Sequence, residues 1–271
     1  MISILFLGNC QINAMRGIFR GMFPKLPCTF RTITPYWGTF DEPEIRARLA
    51  EADIVISQAI ENPAATFNVA DVRASTKGHI VFMPYIYVDG ISGLEIVASK
   101  GRSVVKGADL LIAQGRGQDA FRIMKDYVAG HIDLDNAGRL RASLDRLAAK
   151  EAAQCDIAIS DYIAGTWADR PAQWGINHPT QHILFEMFRR LCLHLDLPFD
   201  PGFCADPIEM GRRALPMSTR SFSPIDVAAL GLSYDCDPHW FGQTGKLIGL
   251  ALKHHQRAQD TAAPAATSAA A

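Results

Sequence analysis

Ile2-Ser3-Ile4-Leu5-Phe6-Leu7, running straight into Gly8-Asn9-Cys10-Gln11, is the stretch on which the reading of the fold depends. It is an apolar run of strand length that breaks at a glycine, after which Ile12, Met15, Phe19 and Met22 recur at helical spacing. A strand, a tight turn and a helix therefore meet at Cys10. Such a turn holds a side chain off the end of a sheet, aims the unpaired amides of the first helical turn at it, and sets the positive end of the helix dipole beside it. Both effects favour a thiolate. The same amides can hold the oxygen that becomes negative when a carbonyl is attacked. A buried cysteine packed as a small hydrophobe is the alternative, but polar Asn9 and Gln11 on either side favour chemistry. Cys10 and Gln11 are thus catalytic candidates, with Gly8 and Asn9 as the part of the turn that a cofactor would approach.

Four more segments read as strands: Cys28 to Thr34, Asp53 to Gln58, His79 to Met83 and Asp109 to Ala113. Helical sequence at Glu42 to Ala50, where Ile45 and Leu49 share a face, and at Ala120 to Ala129 alternates with them. Strand alternating with helix predicts a mostly parallel sheet covered on both faces, a three-layer α/β sandwich of flavodoxin type. After Asp133, Leu140, Leu144 and Leu147, and then Cys155 through Ile163, predict a helical elaboration, placed as an insertion around 119–170 of one domain over 1–257. Pro179 is expected in the first turn of a long amphipathic helix carried by Ile183, Leu184, Met187, Phe188, Leu191 and Leu195. From Ala258 to Ala271 the composition collapses to alanine, threonine, proline and serine, which predicts an unordered tail.

The chain has 271 residues, 48% of them hydrophobic, and a formal net charge of -1. That length can bury a sizeable core, and the balance of charge gives no general attraction to nucleic acid or anionic membrane. Six cysteines at positions 10, 28, 155, 192, 204 and 236 include no C-x-x-C pair, which argues against a zinc knuckle and a disulfide scaffold and fits a reducing cytoplasm. The first residues lack the basic start of a signal peptide, and no apolar run approaches a membrane span. Contact with membrane-associated glycan machinery would then come from the cytoplasmic side.

A nucleophilic cysteine needs a base, and His178 is the best placed of eight histidines. It sits between polar Asn177 and Pro179 in a loop feeding a helix. His182, one turn on, completes a zinc-binding spacing, but the glutamate that a zinc protease carries between them is absent, and no metal is expected. Gly115-Arg116-Gly117-Gln118-Asp119-Ala120 matches G-x-G-x-x-A after an expected strand; its amides suit a pyrophosphate, although a plain tight turn explains it as well. Lys100 and Arg102, with Lys106, form a small basic group suited in kind to phosphates, or a solvated loop. Trp240, in Asp235-Cys236-Asp237-Pro238-His239-Trp240, is either a stacking platform or a packed tryptophan in a turn.

Strand-Gly-Asn-Cys-Gln-helix at the N-terminus, Ile56-Ser57-Gln58 ending a later strand, and Asn177-His178-Pro179-Thr180 opening a late helix resemble the WcbI family of capsular polysaccharide biosynthesis proteins. The resemblance runs from Met1 to about the helix after His178. It implies an SGNH-hydrolase-like fold and an association with coenzyme A and sugar acetylation. In its terms Cys10 stands where the nucleophilic serine of those hydrolases stands, and His178-Pro179 matches their late His-Pro. Gln58 and Asn62 fall where the fold places helper oxyanion donors, although both also suit loop capping. The aspartate three residues before the histidine is replaced by Gly175. A Cys-His dyad follows, because a thiol needs less activation than a hydroxyl. The expected activity is transfer of acetyl from acetyl-CoA to a hydroxyl of a capsular or surface polysaccharide precursor. An esterase or thioesterase, or a non-catalytic CoA- or nucleotide-binding module, are the alternatives.

Overall fold

The structure, a computed structural model, describes residues 2–32, 41–99, 102–115, 118–175, 178–204, 220–221, 223–236 and 239–267. In chain order its elements are β1 (Ile4–Gly8), α1 (Cys10–Met22), β2 (Cys28–Thr32), α2 (Glu42–Glu51), β3 (Ile54–Gln58), α3 (Val69–Ser75), β4 (His79–Met83), β5 (Leu94–Ser99), β6 (Arg102–Lys106), α4 (Ala108–Gly115), α5 (Ala120–Val128), α6 (Asn136–Gln154), α7 (Ser160–Thr166), β7 (Gln173–Gly175), β8 (His178–Pro179), α8 (Gln181–His194), β9 (Arg220–Ser221), α9 (Pro224–Leu230) and α10 (Trp240–Thr267). They fall into two compact units, Met1–Tyr87 with Leu144–Trp167 and Pro171–Met217, and Val88–Ser143 with Ala168–Arg170 and Ser218–Ala271.

The first unit is built on a four-stranded parallel sheet of order β2-β1-β3-β4. Every residue of β1 is buried, because a parallel sheet covered on both faces has no wet side. Leu5, Leu7 and Val55 pack with Ile45 and Leu49 of α2 and Val72 of α3 on one face. On the other, Phe6 meets Phe19 of α1 edge-on at 5.4 Å, and Phe19 meets Phe188 of α8 at 6.4 Å. Adjacent residues along one strand thus serve opposite helix layers, which is the three-layer α/β sandwich that the strand-helix alternation predicts.

The second unit has an antiparallel sheet of order β6-β5-β9. Leu94, Val105, Leu111, Ile123, Tyr127, Leu247 and Ile248 share its core, and Trp240 packs against that cluster. Burial raises the carboxyl pKa of Asp226 against the donors that lower it, among them Gly93 N at 2.8 Å, Asn136 Nδ2 at 2.6 Å and Ser223 N at 2.9 Å.

Two expectations fail here. Asp109 to Ala113 is not a strand but lies inside α4, which starts after Gly107 at φ 78° with Leu111 N bonded to Gly107 O at 3.0 Å. A short apolar run such as Leu110-Leu111-Ile112 suits a helix as well as a strand, and a glycine free to adopt positive φ decides for the helix. Of the basic group, Arg102 and Lys106 likewise stand not in a loop but at the two ends of the strand β6, with Lys106 opposite Glu95 in β5. The backbone of α10 also continues to Thr267, into the segment whose composition suggests a tail, carried by alanine, the best helix former.

Candidate active site

Gly8 closes β1, and the helix begins two residues later. A Cβ on Gly8 would lie 2.4 Å from Ile12 Cγ1 and 3.3 Å from the Cβ of Gln58, so only glycine lets the first turn of α1 fold back against the sheet end. Asn9 is the N-cap in extended geometry, its side chain accepting from Gln11 N at 2.9 Å while its carbonyl accepts from Asn13 N at 3.0 Å. Cys10 follows as the first residue of α1. The order β2-β1-β3-β4 reverses direction between β1 and β3, and in such sheets ligands bind outside the carboxyl ends of the strands at that point. Cys10 follows β1 there, and Gln58 is the last residue of β3.

Gln58 is 3% exposed and linked to the turn through its Oε1, which accepts from Asn9 N at 3.4 Å. Its Nε2 is buried without a hydrogen-bond partner. Leaving a buried amide donor unmatched costs about 1–3 kcal/mol, so such a group at the carboxyl end of a strand calls for an explanation, and a ligand acceptor is one. Asn62, the other helper donor, sits exposed and accepts from Ala64 N at 3.1 Å, capping its own loop.

The thiol of Cys10 behaves differently from the expectation raised by its turn. The amides of Gln11 and Cys10 do lower its pKa, but desolvation by burial is larger and lifts it above the ordinary thiol value. The resting group is a thiol. At 6% exposure it has lost more hydration than two amides return, and Asn9 already takes the Gln11 amide. Burial also raises Cys28, against Arg16 and Arg20, and pushes Cys155 up to about 12 with help from Glu151.

His178 is half-buried on β8, its backbone paired opposite Gly175, so the residue across from it brings no carboxylate. Pro179 does not enter the helix: it pairs with Gln173 in the β7–β8 ladder, and Thr180, bonded through its N–H to Ala172 O at 3.0 Å, is the N-cap of α8. Proline tolerates a strand edge because it has no N–H to place. His182 holds Pro171 O at 3.0 Å through Nε2 and lies against the ring of Tyr162, which is a structural role.

The side chain of Gln11 is committed elsewhere. Nε2 donates to Ile86 O at 2.8 Å and Oε1 accepts from Ile86 N at 3.0 Å, so it pins the segment that follows β4. Gly115 does not follow a strand; it ends α4 and turns the chain with Gln118 N bonded to its carbonyl at 2.9 Å. The helix that follows has its first amides occupied, because Asp119 Oδ1 accepts from Phe121 N at 2.9 Å and Arg122 N at 3.0 Å. Lys100, Arg116 and Gly117 lie outside the described residues, as does the side chain of Arg102. Sequence reasoning missed Thr180 and Gln181 at the head of α8, where Thr180 Oγ1 and Gln181 Nε2 are buried and unmatched. A polar pair between His-Pro and a strongly apolar helix is the signal that could have found them.

Fold and turn together define a three-layer α/β protein with a cysteine at the switch point of its parallel sheet. The family profile of WcbI, a polysaccharide biosynthesis enzyme, matches residues 3–200, and the chain belongs to that family. Among solved structures it is similar to one described as WcbI, a novel polysaccharide biosynthesis enzyme, in its native form without a disulfide bond between coenzyme A and a cysteine. That similarity has a TM-score of 0.59 at 16% identity and covers 94% of this chain and 96% of that one, which is a shared fold. No curated protein matches this chain.

Proposed function

We propose that this polysaccharide biosynthesis protein is an acyltransferase that carries acetyl from acetyl-CoA to a hydroxyl of a capsular or surface polysaccharide precursor, through Cys10 and His178. The observation that carries the reading is the Cys10 turn at the switch point, joined through Asn9 to a buried amide donor with nothing to bond. The coenzyme A named with the solved WcbI structure supports the donor.

Because Cys10 rests protonated, His178 takes the proton from Sγ as sulfur attacks the thioester carbonyl. The first-turn amides and Gln58 Nε2 hold the oxyanion. As the C–S bond to coenzyme A breaks, His178 returns the proton to the departing thiolate and acetyl remains on Cys10. The sugar hydroxyl then attacks that thioester, giving its proton to His178, which passes it to Cys10 as sulfur leaves. Gly8 and Asn9 shape the end of the site next to the thioester. Lys100, Arg102, Gly115, Arg116 and Gly117 belong to the proposal only as charge and turn chemistry suited to phosphates, and Asp119 on the α5 amides weighs against the glycine turn.

The raised thiol favours one second reading: His178 deprotonates the sugar hydroxyl, which attacks acetyl-CoA directly. Following free thiol release from acetyl-CoA separates the readings. Release only with a sugar acceptor supports transfer, release in buffer supports a thioesterase, and binding without release supports a non-catalytic module. No helix among the described residues is long and apolar enough to cross a membrane; a cytoplasmic site of action facing membrane-bound glycan machinery is part of the proposal.

A further inference from the structure

The clamp between Gln11 and Ile86 has a topological consequence. Gln11 lies in the first turn after β1, whereas Ile86 follows β4, and β3 stands between those two strands. Two strand spacings are roughly 10 Å. The Gln11 side chain and the chain after Met83 together bridge that distance, and Gln11 holds the segment by both backbone groups of Ile86. Ile86 is fully buried. Its neighbours Tyr85 and Tyr87 are half-buried, and their rings lie 6.3 Å apart, tilted by 40°.

We infer that Tyr85 and Tyr87 form the aromatic wall of the acceptor-sugar subsite, and that Gln11 is the positioning residue that holds this wall beside Cys10. This rests on the acyl-transfer reading above. A pyranose presents an apolar C–H face and a rim of hydroxyls, and tyrosine offers both an aromatic face and a polar tip. Distance selects the sugar over the adenine of coenzyme A, which would also stack. The acceptor hydroxyl must reach the carbonyl carbon carried by Cys10, so its ring has to sit next to that residue. The adenine lies at the far end of the pantetheine arm from the reacting sulfur.

The test uses the full chain with coenzyme A present and four methyl glycosides as probes: those of glucose, galactose, mannose and N-acetylglucosamine. Saturation-transfer NMR on the wild type should show contact to the ring protons of at least one of them. Tyr85→Leu and Tyr87→Leu, which keep apolar volume but remove the ring, should each weaken that glycoside about tenfold, the scale of one aromatic contact. Coenzyme A affinity, measured by calorimetry, should stay within about twofold. Gln11→Ala should weaken the glycoside similarly and speed amide exchange at Ile86, while circular dichroism remains native. The inference is overturned if no glycoside gives a signal with the wild type, if both leucine variants keep it, or if they weaken coenzyme A as much as the sugar. Its failure is distinguishable from failure of acyl transfer. A protein that binds a glycoside through these rings but releases no thiol from acetyl-CoA loses the transferase reading alone. One that transfers acetyl with unchanged acceptor KM in both leucine variants loses only the ring wall.

Discussion

The turn at Gly8-Asn9-Cys10 and the turn at Gly115 look alike as sequence: each has glycine, polar residues and a helix behind it. In the folded chain they are opposites. The first leaves a strand at the switch point of a parallel sheet, carries a cysteine, and touches a buried amide whose Nε2 has no partner. The second joins two helices, and the carboxylate of Asp119 already fills the helix terminus behind it. A helix N-terminus binds a ligand only where the chain has not supplied its own acceptor. At Cys10 the chain does so in part, since Asn9 takes one amide, and burial leaves the sulfur protonated.

The largest effect expected from this contrast is at Cys10 itself. Cys10→Ser should lose at least roughly a hundredfold in acetyl transfer while keeping coenzyme A affinity, since a hydroxyl needs more activation than a thiol and is the weaker nucleophile. If Cys10 and His178 act as one unit, removing both should cost little more than removing either, and additive losses would separate their roles. Near-normal turnover in a folded Cys10→Ser variant would promote direct attack by the sugar.

The two helper amides sharpen the comparison next. Gln58→Ala should lower kcat by about a hundredfold, the scale of one oxyanion donor, whereas Asn62→Ala should leave it within about threefold; equal losses would remove the distinction drawn from their bonding. The glycines follow. Gly8→Ala should cost about 1–3 kcal/mol in denaturant unfolding, because the new Cβ runs into the body of Ile12. Gly115→Ala should cost less, about 1 kcal/mol, because its Cβ meets one movable arm, Cγ1 and Cδ1 of Ile123 at 2.9 Å, rather than a side chain held at its Cβ.

Protonation provides a smaller test. The folded pKa of Cys10 is raised, so the stability tied to its neutral thiol is fully present below the unfolded value and is lost as pH rises through the folded one. Above the ordinary value of 9.0, wild-type stability should therefore fall more steeply with pH than that of Cys10→Ala. Iodoacetamide labelling of Cys10 should likewise be slow at mildly acidic pH; fast labelling there would mean that burial does not govern the thiol. Smallest of all, deleting residues 261–271 should move the melting temperature by under about 2 °C, because residues 256–260, which lead into that segment, are already exposed.

Much of the first unit is readable without coordinates because its signals are local. An apolar run buried on both faces, broken by glycine and followed by helical spacing, specifies β1, the turn and α1 from neighbours in sequence, and short apolar runs from Ile54 and His79 likewise give β3 and β4. In the second unit α5 is as readable, but the rest resists: Leu110-Leu111-Ile112 becomes helix only because Gly107 turns the chain, and β5 and β6 exist through pairing.

Sequence alone therefore determined that a cysteine stands at a strand-to-helix turn in an α/β chain of the WcbI family, because propensity and spacing act over a few residues. Tertiary structure decided that Gln58 meets that turn with a free donor, that Gln11 reaches Ile86 seventy-five positions away, and that the thiol stays protonated. Each of these depends on desolvation and on partners brought together from distant parts of the chain, and neither quantity is carried by local pattern.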